Sequence, residues 1–134
     1  MKKQEIQDLN DIKVLVDTFY SKVRKDELLA PMFEARIKDK WPEHLAKMYR
    51  FWQTILLDKH TYSGSPFSPH ANMPLGETHF LRWIELFKQT INENFNGEKA
   101  LEAKARASNM AKMFHYKINH FQKQQKEQSN LAIK

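Results

Sequence analysis

His70 lies in the stretch Tyr62-Ser-Gly-Ser-Pro-Phe-Ser-Pro-His70-Ala-Asn-Met-Pro74, a long helix-breaking segment in a chain that otherwise reads as helical. An isolated loop histidine is most often a solvated side chain. This one is flanked by two long amphipathic segments that carry hydrogen-bonding aromatic side chains among their inward-facing residues. The Tyr20 phenol, the His44 imidazole and the Trp83 indole fall on the apolar faces of three different helical segments, where each donor needs a partner. One imidazole on one side and a set of donors on the other is what a small helical protein needs to hold a haem iron. Taken singly, each residue has a plainer reading. Tyr20 is then a core tyrosine bonded to a backbone carbonyl, His44 a satisfied or partly exposed histidine, and Trp83 a core anchor.

Other metal chemistry is narrowed by spacing. None of the six histidines (44, 60, 70, 79, 115 and 120) has Glu three residues before it, so the Glu-x-x-His pairs of a carboxylate-bridged di-iron bundle are absent. No two histidines stand four apart, which removes a zincin-type helix. His115 and His120 are five apart and do not share a helix face. With no cysteine there is no disulfide framework, thiolate metal site or covalent haem attachment, and a bound haem would be non-covalent. What remains is ligation of a cofactor metal by a single histidine.

The elements that must position these residues are helices. Ile12, Leu15, Val16, Phe19, Tyr20 and Val23 recur at helical spacing over about three turns, with Asn10 or Asp11 as the expected N-cap and residues 3–9 read as a short preceding helix. The stretch Leu28-Leu-Ala-Pro-Met-Phe33 is expected to end that first helix at Pro31. A second long helix starts near Trp41-Pro42 and turns Trp41, His44, Leu45, Met48, Phe51, Trp52 and Ile55 inward. Two of the three glycines and three of the five prolines then fall between Asp58 and Gly76, and Phe67, His70, Met73 and Leu75 suggest a loop packed onto something. A third long helix carries Phe80, Trp83, Ile84, Phe87 and Ile91 and breaks at Asn96-Gly97. The last runs from about Glu98 to Phe121, with Leu101, Ala105, Met110, Met113, Phe114, Ile118 and Phe121 as its apolar residues. No strand pattern or internal repeat is present, so the class is all-α.

Length and composition agree. A chain of 134 residues is one domain, with a core spanning about 10–121 and a polar tail over 122–134 expected to fray. Nine Phe and three Trp give a core suited to a flat aromatic ligand. The N-terminus has two lysines but no apolar run, and no window approaches the ~18 apolar residues of a membrane span, so a soluble cytoplasmic protein is expected. The charge of +6 is spread along the chain among acids, without a visible basic stripe or aromatics between basic residues. Neither nucleic acid nor membrane is expected as a partner.

Taken together, the motifs resemble a known family. Phe19-Tyr20-x-x-Val23-Arg24-x-Asp26-x-x-Leu29-x-Pro31-x-Phe33, followed by Trp41-x-x-His44-Leu45-x-x-Met48-x-x-Phe51-Trp52, is similar to the truncated haemoglobins of group III. Tyr62-x-Gly64-x-Pro66-x-x-x-His70-x-x-x-Pro74 and His79-Phe80-x-Arg82-Trp83-x-x-Leu86-Phe87 continue the match in order, over roughly residues 12–121. Met73 stands where a leucine is more usual, a volume-conserving exchange. The resemblance implies a two-over-two helical sandwich around haem b, with His70 as the proximal iron ligand on a largely unstructured loop. It implies that Tyr20, His44 and Trp83 are the distal residues, with His44 a donor, a gate or an internal ligand. It further implies that Phe33, Met48, Phe51 and Phe87 line the haem, that Trp52 and Phe80 stand behind or beside it, and that Lys47, Arg82 or His79 meets a propionate.

In function, the resemblance implies binding of dioxygen, nitric oxide, carbon monoxide or peroxide. Two distal donors suit oxygen or nitric oxide chemistry or peroxide handling, with an electron donor, better than transport. The alternatives are a cofactor-free helical interaction module, which leaves the histidine loop unexplained, and a gas sensor acting through a separate partner.

Overall fold

The computed structural model describes residues 3–64 and 73–133, the side chains of 125 and 127–133 excepted. His70 and Phe67 lie outside the described residues. Among the described residues there are five helices: α1 (Leu9–Lys25), α2 (Ala30–Ile37), α3 (Trp41–Leu57), α4 (Glu77–Asn94) and α5 (Glu98–Ile133). Among the described residues there is no strand, only an isolated bridge between Gln4 and Phe95. The helices α1 and α3 pack as one pair, α4 and α5 as another, and α1 lies across α4 to join the two.

The inward stripe of α1 is the one its spacing predicts: Ile12, Leu15, Val16, Phe19, Tyr20 and Val23 are all buried. Its cap is not. Asp8 accepts the Asp11 N–H at 3.0 Å, and the Asp11 carboxylate accepts the Gln7 N–H at 2.9 Å, so the helix starts before Asn10. Two acidic side chains thereby satisfy first-turn and pre-helix amides together.

Residues 3–7 are not helical. They run beside the α4–α5 corner, where Asn96 donates to the Gln4 carbonyl at 3.0 Å and Glu5 accepts the Lys99 and Ala100 amides at 2.8 and 3.3 Å. Those amides belong to the first turn of α5 and have no acceptor within the helix, and the carboxylate suits the positive end of its dipole. Ile6, fully buried, pins the segment.

Pro31 starts a helix rather than ending one. The first helix stops at Lys25, and the Asp26 carboxylate accepts the Leu28 and Leu29 amides at 3.2 and 3.1 Å to close the connecting turn. Pro31 then sits in the first turn of α2, where its missing N–H costs nothing. Pro42 does the same for α3, as its sequence position predicts.

The buried face of α5 differs from the expected one. Ala100, Ala103, Ala107, Ala111, Phe114 and Ile118 are buried, whereas Leu101 and Met113 are 63% and 44% exposed and Ala105 faces solvent. Alanines let α4 and α5 approach closely, and the larger side chains are left outside. The helix also continues through the polar tail to Ile133 instead of stopping near Phe121. Past the proline-rich segment, Met73 and Leu75 are buried against Ile118, with Phe80 and Met32 alongside, so the chain leaving that segment is anchored to the body of the protein.

Candidate functional site

A cavity opens between the two helix pairs. Its walls are Tyr20 from α1; Leu29 and Phe33 around α2; Met48, Phe51 and Trp52 from α3; Leu75; His79, Phe80 and Trp83 from α4; and Met110, Ala111 and Phe114 from α5. Counted with its open mouth, the space amounts to about 660 Å³. Eight of the twelve distal and cofactor-lining candidates drawn from the sequence stand on this one wall: Tyr20, Phe33, Met48, Phe51, Trp52, His79, Phe80 and Trp83.

Phe87 lies one layer back. It stacks on Trp52 at 5.0 Å and on Trp83 at 5.7 Å and meets Phe19 edge-on at 5.2 Å. This stack fixes two of the flat side chains that form the wall.

Tyr20 is 6% exposed and enclosed by rings. Phe19, His44, Trp41 and Phe33 stand 4.9, 5.0, 5.9 and 6.2 Å from its centroid, all roughly edge-on. Burial pushes its phenol well above the usual value, and no hydrogen bond contributes to the shift. The hydroxyl therefore keeps its proton and, among the described residues, gives it to no acceptor. It is a donor held ready at the cavity wall.

Behind this ring cluster lies an arrangement that periodicity alone does not reveal. Glu34 accepts from the Trp41 indole at 3.2 Å with one oxygen and from Arg24 Nε at 3.0 Å with the other. The Arg24 guanidinium also lies 4.4 Å from the Trp41 ring centroid. Cation, carboxylate and indole thus lock Trp41 in place, and Trp41 in turn meets His44 edge-on at 5.7 Å. A shallow depression lined by Asp17, Ser21, Arg24, Lys25, Leu45 and Tyr49 reaches Tyr20 and Trp41 from outside.

His44 and Lys47 face a second, more open depression. It also includes Arg36, Lys40, Tyr62 and Met73, and it shares Phe33 and Met48 with the main cavity. The two spaces are therefore adjacent, with cations gathered on the outer one. His79 is half-buried, and its Nδ1 accepts the Gly76 N–H at 3.0 Å, which leaves Nε2 as the protonated nitrogen.

Arg82 is held by two carboxylates. Its Nε donates to Asp26 and its Nη1 to Glu85, both at 2.6 Å, so the guanidinium joins the end of α1 to α4. Burial works to raise the Asp26 carboxyl. The hydrogen bond and charge of Arg82, with the Leu29 and Leu28 amides, outweigh it and hold the group below the ordinary carboxylate value.

Among the described residues no group of three or more His, Cys, Asp or Glu is placed to hold a metal ion. No described helix is long and apolar enough to cross a membrane. What the arrangement can hold is a flat, largely apolar ligand: aromatic walls, a phenol that donates to no acceptor among the described residues, and cations at the adjoining rim. Leu29, Leu75, Met110, Ala111 and Phe114 complete the wall without having been singled out as site residues. Leu29 stands in the first motif, Leu75 among the apolar residues of the loop, and Met110 and Phe114 among those of α5, whereas Ala111 carried no signal.

Comparison with known proteins agrees with this architecture. A model of the bacterial-like globin family matches residues 5–119. The group 3 truncated hemoglobin ctb of Campylobacter jejuni is 36% identical over 107 residues, which cover 77% of this chain and 84% of that protein. A crystal structure of group III truncated hemoglobin from Campylobacter jejuni superimposes with a TM-score of 0.80 at 33% identity, covering 87% of this chain and 95% of that one.

Proposed function

Because the chain belongs to the bacterial-like globin family, as a group III truncated haemoglobin, we propose that the aromatic cavity holds haem b and that Tyr20, with Trp83, retains a diatomic ligand there. The observation that carries this reading is the Tyr20 phenol, protonated and without an acceptor among the described residues, on the wall of a cavity built from flat side chains. The haem iron supplies an open coordination site for dioxygen, nitric oxide or carbon monoxide.

The chain's own residues do the rest. His70 is the proposed iron ligand: it is five residues from Leu75, which lines the cavity, so it is within reach of it. Phe33, Met48, Phe51, Trp52 and Phe80 exclude water from the ring, and Phe87 braces them from behind. Lys47 at the rim, with His79 through Nε2 or Arg82, would meet the propionates, and Arg82 also ties α1 to α4 through Asp26. Tyr20 and Trp83 donate to ligand atoms that gain negative charge, and His44 adds a third donor or a gate towards the cationic depression.

Each donor to a charged acceptor is worth about 1.5–3 kcal/mol. Since about 1.4 kcal/mol is tenfold in an equilibrium constant, two donors hold a ligand tightly enough to oppose release. This supports oxygen or nitric oxide chemistry or peroxide handling, fed by an electron donor, over transport.

The test is an absorption spectrum of the purified protein reduced with dithionite, before and after carbon monoxide. An intense haem band that shifts with carbon monoxide, and whose five-coordinate ferrous form is lost in His70→Ala, is the expected result. A protein that stays colourless after haem is added overturns the reading.

A further inference from the structure

The exposed side of α5 departs from the mixed charge of the rest of the chain. Between Glu102 and Glu127 the sequence has six lysines and arginines and no aspartate or glutamate. Arg106, Asn109, Met113, Tyr116, His120 and Lys123 succeed one another at steps of three and four, so they form one stripe that begins and ends on a cation, with Lys112 beside it. All seven are exposed, Tyr116 at 73%. The other sixteen lysines and arginines of the chain are balanced in number by its sixteen aspartates and glutamates, and some pair directly, as in Lys22–Glu93, Arg24–Glu34 and Arg82–Asp26. Among the described residues Arg106, Lys112 and Lys123 make no ion pair.

The same turns of α5 present Met110, Ala111 and Phe114 to the cavity on their other side. The cationic stripe is thus one helix thickness, about 10–12 Å, from the proposed cofactor. We propose that this face docks an acidic electron-carrying protein, which reduces the haem across α5. The proposal rests on the haem reading above and names the donor surface that reading requires.

Charge complementarity identifies the occupant as acidic, and it steers encounter while leaving contact brief. An exposed tyrosine and methionine between Arg106 and Lys123, with Lys112 beside them, give a small contact patch of the kind transient electron-transfer pairs use. A second copy of this chain would oppose cation to cation. Nucleic acid would answer to the same charges but would gain nothing from the cavity behind them. One electron leaves the reduced donor, which is oxidised by one electron, and ferric iron becomes ferrous. No bond or proton changes hands at the surface.

The test uses a purified flavodoxin, a small acidic flavoprotein, as the probe. Titrated into the isotope-labelled full chain, it is expected to shift the amide signals of 106–123. Reduction of the haem-loaded ferric protein by reduced flavodoxin is expected to fall about tenfold or more in the triple variant Arg106→Glu, Lys112→Glu, Lys123→Glu. Reduction by dithionite is expected to be unchanged. Should that triple not fold, the Gln triple at the same positions is read in its place.

Shifts centred instead on Lys40 and Lys47, or undiminished reduction of the variant, would overturn the assignment. So would a labelled DNA duplex that binds the stripe more tightly than flavodoxin. Failure of the haem reading is separately visible as the missing absorption band, and the shift map still decides the surface.

Discussion

Arg82 on α4 and Asp26 at the end of α1 form a 2.6 Å hydrogen-bonded ion pair in which the carboxylate side chain is only 7% exposed. The same carboxylate closes the turn into α2 through the Leu28 and Leu29 amides. One acidic side chain therefore sets the positions of three helices that contribute to the cavity.

The Asp26 carboxyl titrates below its unfolded value, so the stability it contributes is fully present above the unfolded carboxylate range, near 3.9, and is lost as pH falls through the lower folded value. Asp26→Asn is expected to lower the urea midpoint at pH 7. The gap between variant and parent should shrink as pH is taken below about 3. Equal midpoints at pH 7 would remove Asp26 from the latch.

Tyr20→Phe separates ligand chemistry from folding. The Tyr20 hydroxyl donates to no acceptor among the described residues and so adds no hydrogen bond to the fold there, and the cofactor-free variant is expected to melt no lower than the parent. In the haem-loaded protein, oxygen dissociation should speed up by about 10–150-fold, the equivalent of a lost hydrogen bond to a charged acceptor. A cofactor-free variant destabilised by more than about 1 kcal/mol would mean that the hydroxyl is bonded within the protein.

Glu34→Ala removes the acceptor shared by Trp41 and Arg24. The expected loss is about 1–3 kcal/mol, with a change in Trp41 fluorescence as the indole loosens. Because Trp41 meets both Tyr20 and His44 edge-on, carbon monoxide rebinding to the haem-loaded protein should become heterogeneous. Single-phase rebinding identical to the parent's would confine Glu34 to the surface.

Gly97 combines a φ of +102° with the Glu5 carboxylate where a Cβ would stand. Gly97→Ala is expected to destabilise by more than about 1 kcal/mol, whereas the same exchange at a compatible backbone position stabilises. In a double-mutant cycle with Glu5→Ala, measured by denaturant unfolding, part of that cost should disappear and the part due to φ should persist. Strict additivity would show that the two residues do not meet.

How far the sequence carries the structure differs from helix to helix. On α1 every inward residue can be read in advance, because large apolar side chains alternate cleanly with polar ones at helical spacing. On α5 the same reading chooses Leu101 and Met113 and misses the alanine seam, since size is a poor guide where two helices approach closely. Asp8 as a cap and Glu5 as a partner of α5 depend on contacts that no local window contains. At the site, most of the cavity wall was legible from the ordered motifs. The Arg24–Glu34–Trp41 cluster was not, because three residues on three helices meet only once the helices pack.

The Glu5 contact with α5 also has a kinetic meaning. It joins residues 94 and 95 positions apart, so its closure entropy must be met before it yields any return. Such a clasp forms after the helices have docked and is absent from the folding nucleus. Its loss would then leave the folding rate nearly untouched and act almost wholly on unfolding, so the first few residues of the chain set how long the finished fold persists.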